Sequence, residues 1–255
     1  MCSFKSMLIL KDMVFVPDYD SHDKMLEELG IEDTRANAER LFVRVELTPA
    51  DGDPFSDIST WKYNVDQDIL PEWYVKEVDK RRAIDAVKEW AKEHIYVGQD
   101  NLKIESDTGY YLKDCKNVTV RGNATVKAYG NATVKAYNNA TVAACGSATV
   151  KAWDNATVKA YGNATVEAYG NTTVAACGSA TVKAWDNATV TAYDNTTVEA
   201  YGNAMVYNSP LSSLKWHKKD SIILRDDAIF KDNETKTIYQ AGDWELVLVD
   251  KKDEV

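Results

Sequence analysis

Asn-Ala-Thr-Val-Lys-Ala-Tyr-Gly at residues 123–130, followed by Asn-Ala-Thr-Val-Lys-Ala-Tyr-Asn at 131–138, belongs to an eight-residue repeat that runs through residues 117–210. Each octad places two turn-forming residues, Gly-Asn, Asp-Asn or Gly-Ser, between stretches of the form Ala-Thr-Val-Lys-Ala-Tyr. In an extended chain successive side chains alternate between faces, so Ala, Val and Ala point one way and Thr, Lys and Tyr the other. Two arrangements place such strands on two-residue turns: a meander of hairpins and a parallel coil. A hairpin would set the Tyr of one strand against the first Ala of the next and mix small apolar with large polar residues on each face. A parallel coil keeps Ala-Val-Ala inside at every level, with Gly, Asn and Asp turning the corners. The repeat therefore predicts a β-solenoid.

The number of octads per coil follows from the residue at the Tyr position. It runs Tyr129, Tyr137, Cys145, Trp153, Tyr161, Tyr169, Cys177, Trp185, Tyr193, Tyr201, a cycle of four octads. With two octads, or sixteen residues, per coil, one face stacks Tyr129, Cys145, Tyr161, Cys177 and Tyr193. The other stacks Tyr137, Trp153, Tyr169, Trp185 and Tyr201. Three octads per coil would wind unlike residues past one another. Five coils at about 4.8 Å each give a rod of about 24 Å. Its interior is thin, so stability must come from stacking between coils.

Outward aromatics in a row form an apolar stripe that monomers seldom expose, which makes Tyr137, Trp153, Tyr169, Trp185 and Tyr201 the candidate binding residues. The competing expectation is that the rings stack on one another and shield the sheet. Cys145 and Cys177 lie two coils apart, about 9.6 Å, too far for a disulfide. The outward Thr rank is similar to that of ice-binding solenoids, but Lys and Glu interrupt it. The recurring Asn-x-Thr triplets match the glycosylation sequon formally and read as turn chemistry.

Around the repeat the chain divides into an α+β domain at 1–105, the octapeptide solenoid at 106–210 and a β-rich C-terminal cap at 211–255. In the first, two strands flank Lys11-Asp12, and Ser21 caps a short helix that Gly30 ends. Phe42–Leu47 and Trp61–Val65 read as strands. A long helix over 71–95 places Trp73, Val75, Val78, Ile84, Val87, Trp90 and Ala91 on its apolar side. Beyond Pro210, four short apolar runs suit strands that close the open end of the solenoid.

The formal charge of −10 and pI near 4.9 argue against a sequence-independent grip on nucleic acid, which needs a basic surface. No apolar run approaches the roughly 20 residues needed to span a bilayer. The opening residues carry no secretory pattern, so cytoplasmic residence is the default expectation. The four cysteines form no C-x-x-C pair, and reduced thiols are expected. No metal-ligand spacing, phosphate-cradling Gly loop or nucleophile elbow occurs, so neither metal nor cofactor is expected.

One catalytic reading stands beside the structural one. Removal of Met1 would leave Cys2 at the N-terminus, where its own α-amine can activate the thiol. The segment Cys2–Val16 is similar to the opening of N-terminal-nucleophile hydrolases, and Met1-Cys2 is similar to the start of proteins that crosslink abasic DNA. The helpers would be His22, Arg44 with Glu46 on one strand face, and Asp66 within the polar run Asn64, Asp66, Gln67, Asp68. The bland alternative for these residues is a helix cap, a cross-strand ion pair and an acidic turn.

The whole chain resembles a family from gut Firmicutes and their prophages. The resemblance rests on Met1-Cys2-Ser3-Phe4-Lys5-Ser6, Asp18-Tyr19-Asp20-Ser21-His22, Val65-Asp66-Gln67-Asp68, the octapeptides and the strand-rich tail. It implies the domain layout and a bacterial or phage setting, and transfers no catalytic residue. The leading expectation is a non-enzymatic interaction or scaffold protein, self-associating or holding a protein partner through its solenoid faces.

Overall fold

A computed structural model describes residues 4–208, 222–232, 237–240 and 247–250. The chain separates into two compact units, Met1–Ile95 and Tyr96–Val255.

The first unit is built on four antiparallel strands, β1 (Lys5–Leu10), β2 (Val14–Phe15), β3 (Phe42–Thr48) and β4 (Lys62–Val65), in the order β2-β1-β3-β4. Helices α1 (His22–Glu28), α2 (Arg35–Ala38) and α3 (Lys76–His94) cover it. Alternation along the strands divides the core. Met7, Ile9, Val43, Val45 and Leu47 pack with Trp61, Ala83 and Val87 of the α3 side. Leu8 and Phe42 pack with Met25, Leu26 and Ala38 of α1 and α2. Ser21 caps α1, its Oγ accepting from the Lys24 N–H at 3.4 Å. At the other end Gly30 adopts φ 65°, and the Gly30 and Ile31 N–H groups return to the carbonyls of Glu27 and Leu26, the Schellman pattern that favours glycine.

In α3 the sequence expectation needs correction. Val75 and Val78 are 54% and 56% exposed rather than core-facing. The buried stripe is Asp79, Ala83, Val87, Ala91 and His94. Val75 precedes the helix with extended backbone, and Val78 lies off the four-residue spacing that defines the stripe. Buried Asp79 serves the helix start, accepting from the Val75 N–H at 2.8 Å and from Arg82 at 2.7 Å.

The second unit is the parallel, two-sided solenoid that the octads predict. One sheet carries Thr133–Ala136, Thr149–Ala152, Thr165–Ala168, Thr181–Ala184 and Thr197–Ala200. The other carries Thr125–Tyr129, Thr141–Ala144, Thr157–Ala160, Thr173–Ala176 and Thr189–Ala192. Each strand pairs in parallel with the one sixteen residues away, Thr133 with Thr149 and Val142 with Val158, so equivalent residues stack level upon level. The regular strands span Thr to Ala, four residues rather than the six between turns. The flanking residues still extend the ladder through the corners, as in Tyr161 N–H to Ala144 O at 2.8 Å and Asn163 N–H to Gly146 O at 2.9 Å.

The inward Ala and Val side chains from Val142 to Ala168 are fully buried. Where Thr replaces the first Ala, at Thr172 and Thr196, the buried hydroxyl donates to the carbonyl of the preceding corner at 2.6 Å, which satisfies the polar atom locally. Corners need a left-handed residue, supplied by Gly or by Asn138, Asp154, Asp186 and Asp194. At Gly178 a Cβ would come within 3.1 Å of the Gly162 nitrogen one coil away. The Asp corners instead bind the neighbouring coil, the Asp154 and Asp186 carboxylates accepting from the N–H groups of Asn138 and Gly170 at 3.0 Å each.

Both sheets extend upstream of the clear octads, one through Lys103–Ile104 and the other through Gly109–Lys113 and Ile95–Val97. Downstream, Ile222–Leu224 and Ile229–Asp232 continue the parallel stacking. Thr237–Gln240 and Val247–Asp250 then add antiparallel, ending the coil with a change of strand direction.

Candidate functional site

The outward residues of the two sheets differ. On the first, Tyr137, Trp153, Tyr169, Trp185 and Tyr201 form one continuous stack, with centroids 4.7, 5.5, 4.7 and 5.3 Å apart and ring planes within 11° of parallel. The sixteen-residue register places the rings one above another, and β-sheet spacing is close to the distance at which aromatic rings attract. Arginines close both ends. The Arg121 guanidinium lies 5.3 Å from the Tyr137 ring and that of Arg225 lies 5.9 Å from Tyr201. The ring faces are thus covered, and ring edges remain outward.

Beside this column runs a column of charges. Lys151 pairs with Glu167 at 2.7 Å and Lys183 with Glu199 at 3.2 Å. The Tyr169 and Tyr201 hydroxyls donate to the same two carboxylates at 3.0 and 2.9 Å. The Lys151 hydrogen bond holds the Glu167 carboxyl below the usual range, and the Tyr201 hydroxyl followed by Lys183 does so for Glu199. Lys151 and Lys183 are raised by the same contacts.

On the second sheet the outward columns alternate between large and small. The levels read Lys127 with Tyr129, Ala143 with Cys145, Lys159 with Tyr161, Ala175 with Cys177, and Thr191 with Tyr193. Tyr161 is 41% exposed, and among the described residues no ring stacks on it. Burial pushes the thiols of Cys145 and Cys177 up, so both are protonated at neutral pH and poor nucleophiles. Both are free.

In the first unit the structure brings together three of the residues predicted for catalysis. His22, buried at the start of α1, lies 3.4 Å from the Asp66 carboxylate through Nδ1 and 3.4 Å from the Val45 carbonyl through Nε2. Arg44 pairs with Asp33 at 2.5 Å. Arg44 and Asp66 line an open depression of about 330 Å³ with Asp33, Gln67 and Asp68. Gln67 is tied down there, its Oε1 accepting from the Arg44 N–H at 2.8 Å. Glu46 lies two residues along β3 from Arg44, opposite Ser6 and Asn64. Cys2 lies outside the described residues.

A second polar cluster escaped sequence reasoning. Buried Lys5 lies 3.5 Å from Asp20 and 4.7 Å from the Trp90 ring, and donates to the Pro17 carbonyl. Burial lowers its pKa against the opposing pull of Asp20. Alongside, Asp18 accepts from Trp90 Nε1 at 3.2 Å and meets His94 Nε2 at 2.9 Å, while the Trp90 and His94 rings stack at 4.5 Å. These contacts clamp the segment after β2 between β1 and α3.

Among the described residues, no group of three or more His, Cys, Asp or Glu side chains is placed to hold a metal ion, and no helix is long and apolar enough to cross a membrane. Comparison with known protein families, with curated proteins and with solved structures finds no match for this chain.

Proposed function

We propose that the protein is a non-enzymatic scaffold whose solenoid offers outward aromatic residues for self-association or for a protein partner. The observation that carries this reading is the exposed, unstacked Tyr161 ring on a rigid sheet whose opposite face closes its own aromatic column. A tyrosine has only two side-chain torsions to immobilise, so an exposed tyrosine on a sheet offers contact area at low entropic cost. Protonated, well-separated thiols suit a reducing compartment, in keeping with cytoplasmic residence, and the family resemblance adds a bacterial or phage setting. The test compares the mass in solution and partner association of the wild-type chain with those of Trp153→Ser/Trp185→Ser and Tyr161→Ser/Tyr193→Ser. One of the two pairs lowers them; if both leave them unchanged, the reading fails.

A second reading is favoured by the contact of His22 with Asp66 at the edge of an open depression. It makes Cys2 an N-terminal nucleophile served by His22, Arg44, Glu46 and Asp66. Intact mass spectrometry that finds Met1 retained disposes of it.

A further inference from the structure

We infer that the alternating Tyr/Cys face is the contact surface for a second copy of this chain, in antiparallel register and displaced by one coil. The inference rests on the scaffold reading and specifies its partner.

Two outward columns alternate in phase on this face. Lys127, Lys159 and Tyr129, Tyr161 stand as ridges, and Ala143, Ala175 with Cys145, Cys177 lie as furrows between them. Ridges repeat every two coils, about 9.6 Å. A row of side chains seated in such a furrow lies about 4.8 Å from the ridge on either side, one strand spacing, so the furrow has room for one row and no more. The row it accepts must repeat with the same period, and this face itself has that period.

Symmetry then selects the arrangement. A two-fold axis along the rod sets equal levels opposite each other, Tyr161 on Tyr161 and Cys145 on Cys145, so ridge meets ridge. A two-fold axis along the strands reverses the order of the coils. When it passes between the levels of Cys145 and Tyr161, Tyr161 lies over Cys145 of the second copy and Tyr129 over Cys177. The same operation sets Lys159 over Ala143 and Lys127 over Ala175, so both columns interlock at once. This is a closed, isologous contact and stops at the dimer. The four octad coils that face each other in this register, by six residues, cover about 400 Å² on each copy, about 800 Å² in all, the size of a weak, transient interface. The lysines of both copies fall into one column, so added salt tightens the dimer by screening them.

The test is light scattering on the full chain across a dilution series, with reductant present to exclude disulfides. The wild type is expected to dimerise, and more strongly at higher salt. Cys145→Tyr/Cys177→Tyr fills the furrows with residues that the opposite face accepts at every level. It should keep the fold, checked by circular dichroism, and weaken dimerisation by at least about tenfold. Lys183→Ala on the opposite face should leave it unchanged. A wild type that stays monomeric at the highest concentration reached overturns the inference. So does a dimer that survives Cys145→Tyr/Cys177→Tyr but is lost in Trp153→Ser/Trp185→Ser, a result that leaves the scaffold reading standing. If neither pair of substitutions changes assembly or partner association, both fall.

Discussion

The two faces of the solenoid share one backbone plan and one Ala-Val-Ala interior, yet they solve the problem of outward residues in opposite ways. The Tyr/Trp face stacks five rings between two arginines and pairs lysines with glutamates from the next coil. Its side chains are partnered within the chain. The Tyr/Cys face interrupts the same column with Cys at every second level, so Tyr161 has no ring above or below it. A repeat that tolerates an aromatic at every level on one side and alternates on the other shows that alternation is not a demand of the coil. The difference separates a face whose aromatic column is continuous along the rod from a face where that column is interrupted at every second level.

Breaking the column gives the largest effect expected. Trp153→Ser/Trp185→Ser removes all four ring contacts and should cost about 2–5 kcal/mol of solenoid stability, read as a lower denaturant midpoint. Making the faces alike is next: Cys145→Tyr/Cys177→Tyr should raise the unfolding midpoint of the monomer by the equivalent of about 1–2 kcal/mol as new ring contacts form. Opening one end of the column with Arg121→Ala should cost about 0.5–1 kcal/mol.

The smallest effect is on pH dependence. Glu167 and Glu199 have lowered folded pKa values, so their contribution is present above the ordinary glutamate value of about 4.3 and is lost as pH falls through the folded value. Lys151 and Lys183 are raised, so theirs is present below the ordinary lysine value of about 10.4 and is lost as pH rises through the folded value. Glu167→Gln/Glu199→Gln should flatten the acid limb of the melting-temperature profile slightly, since these groups are largely solvated.

Much of the solenoid was legible because an octad repeats the same local decision at each level, and the four-octad cycle at the Tyr position assigned each ring to its face. The ends of the column were harder to see. Arg121 belongs to an irregular early coil, and the step from the coil of Tyr201 to that of Arg225 is 24 residues instead of sixteen, which breaks the period. In the first unit, alternation in Phe42–Leu47 revealed β3 and Ser21 with Gly30 bounded α1. The clamp of Lys5, Asp18, Asp20, Trp90 and His94 was not legible, since Trp90 and Asp18 are 72 residues apart and no local pattern links them. The convergence of Arg44 and Asp66 followed from strand pairing, while the ion pair with Asp33 depended on how the chain before α2 returns to β3.

The central claim is that one face stabilises the rod and the other does not. It is tested most directly by the denaturant midpoint of dilute, monomeric Trp153→Ser/Trp185→Ser beside that of Tyr161→Ser/Tyr193→Ser. The account predicts a loss of about 2–5 kcal/mol for the first and less than about 1 kcal/mol for the second. Equal losses from the two pairs would contradict it.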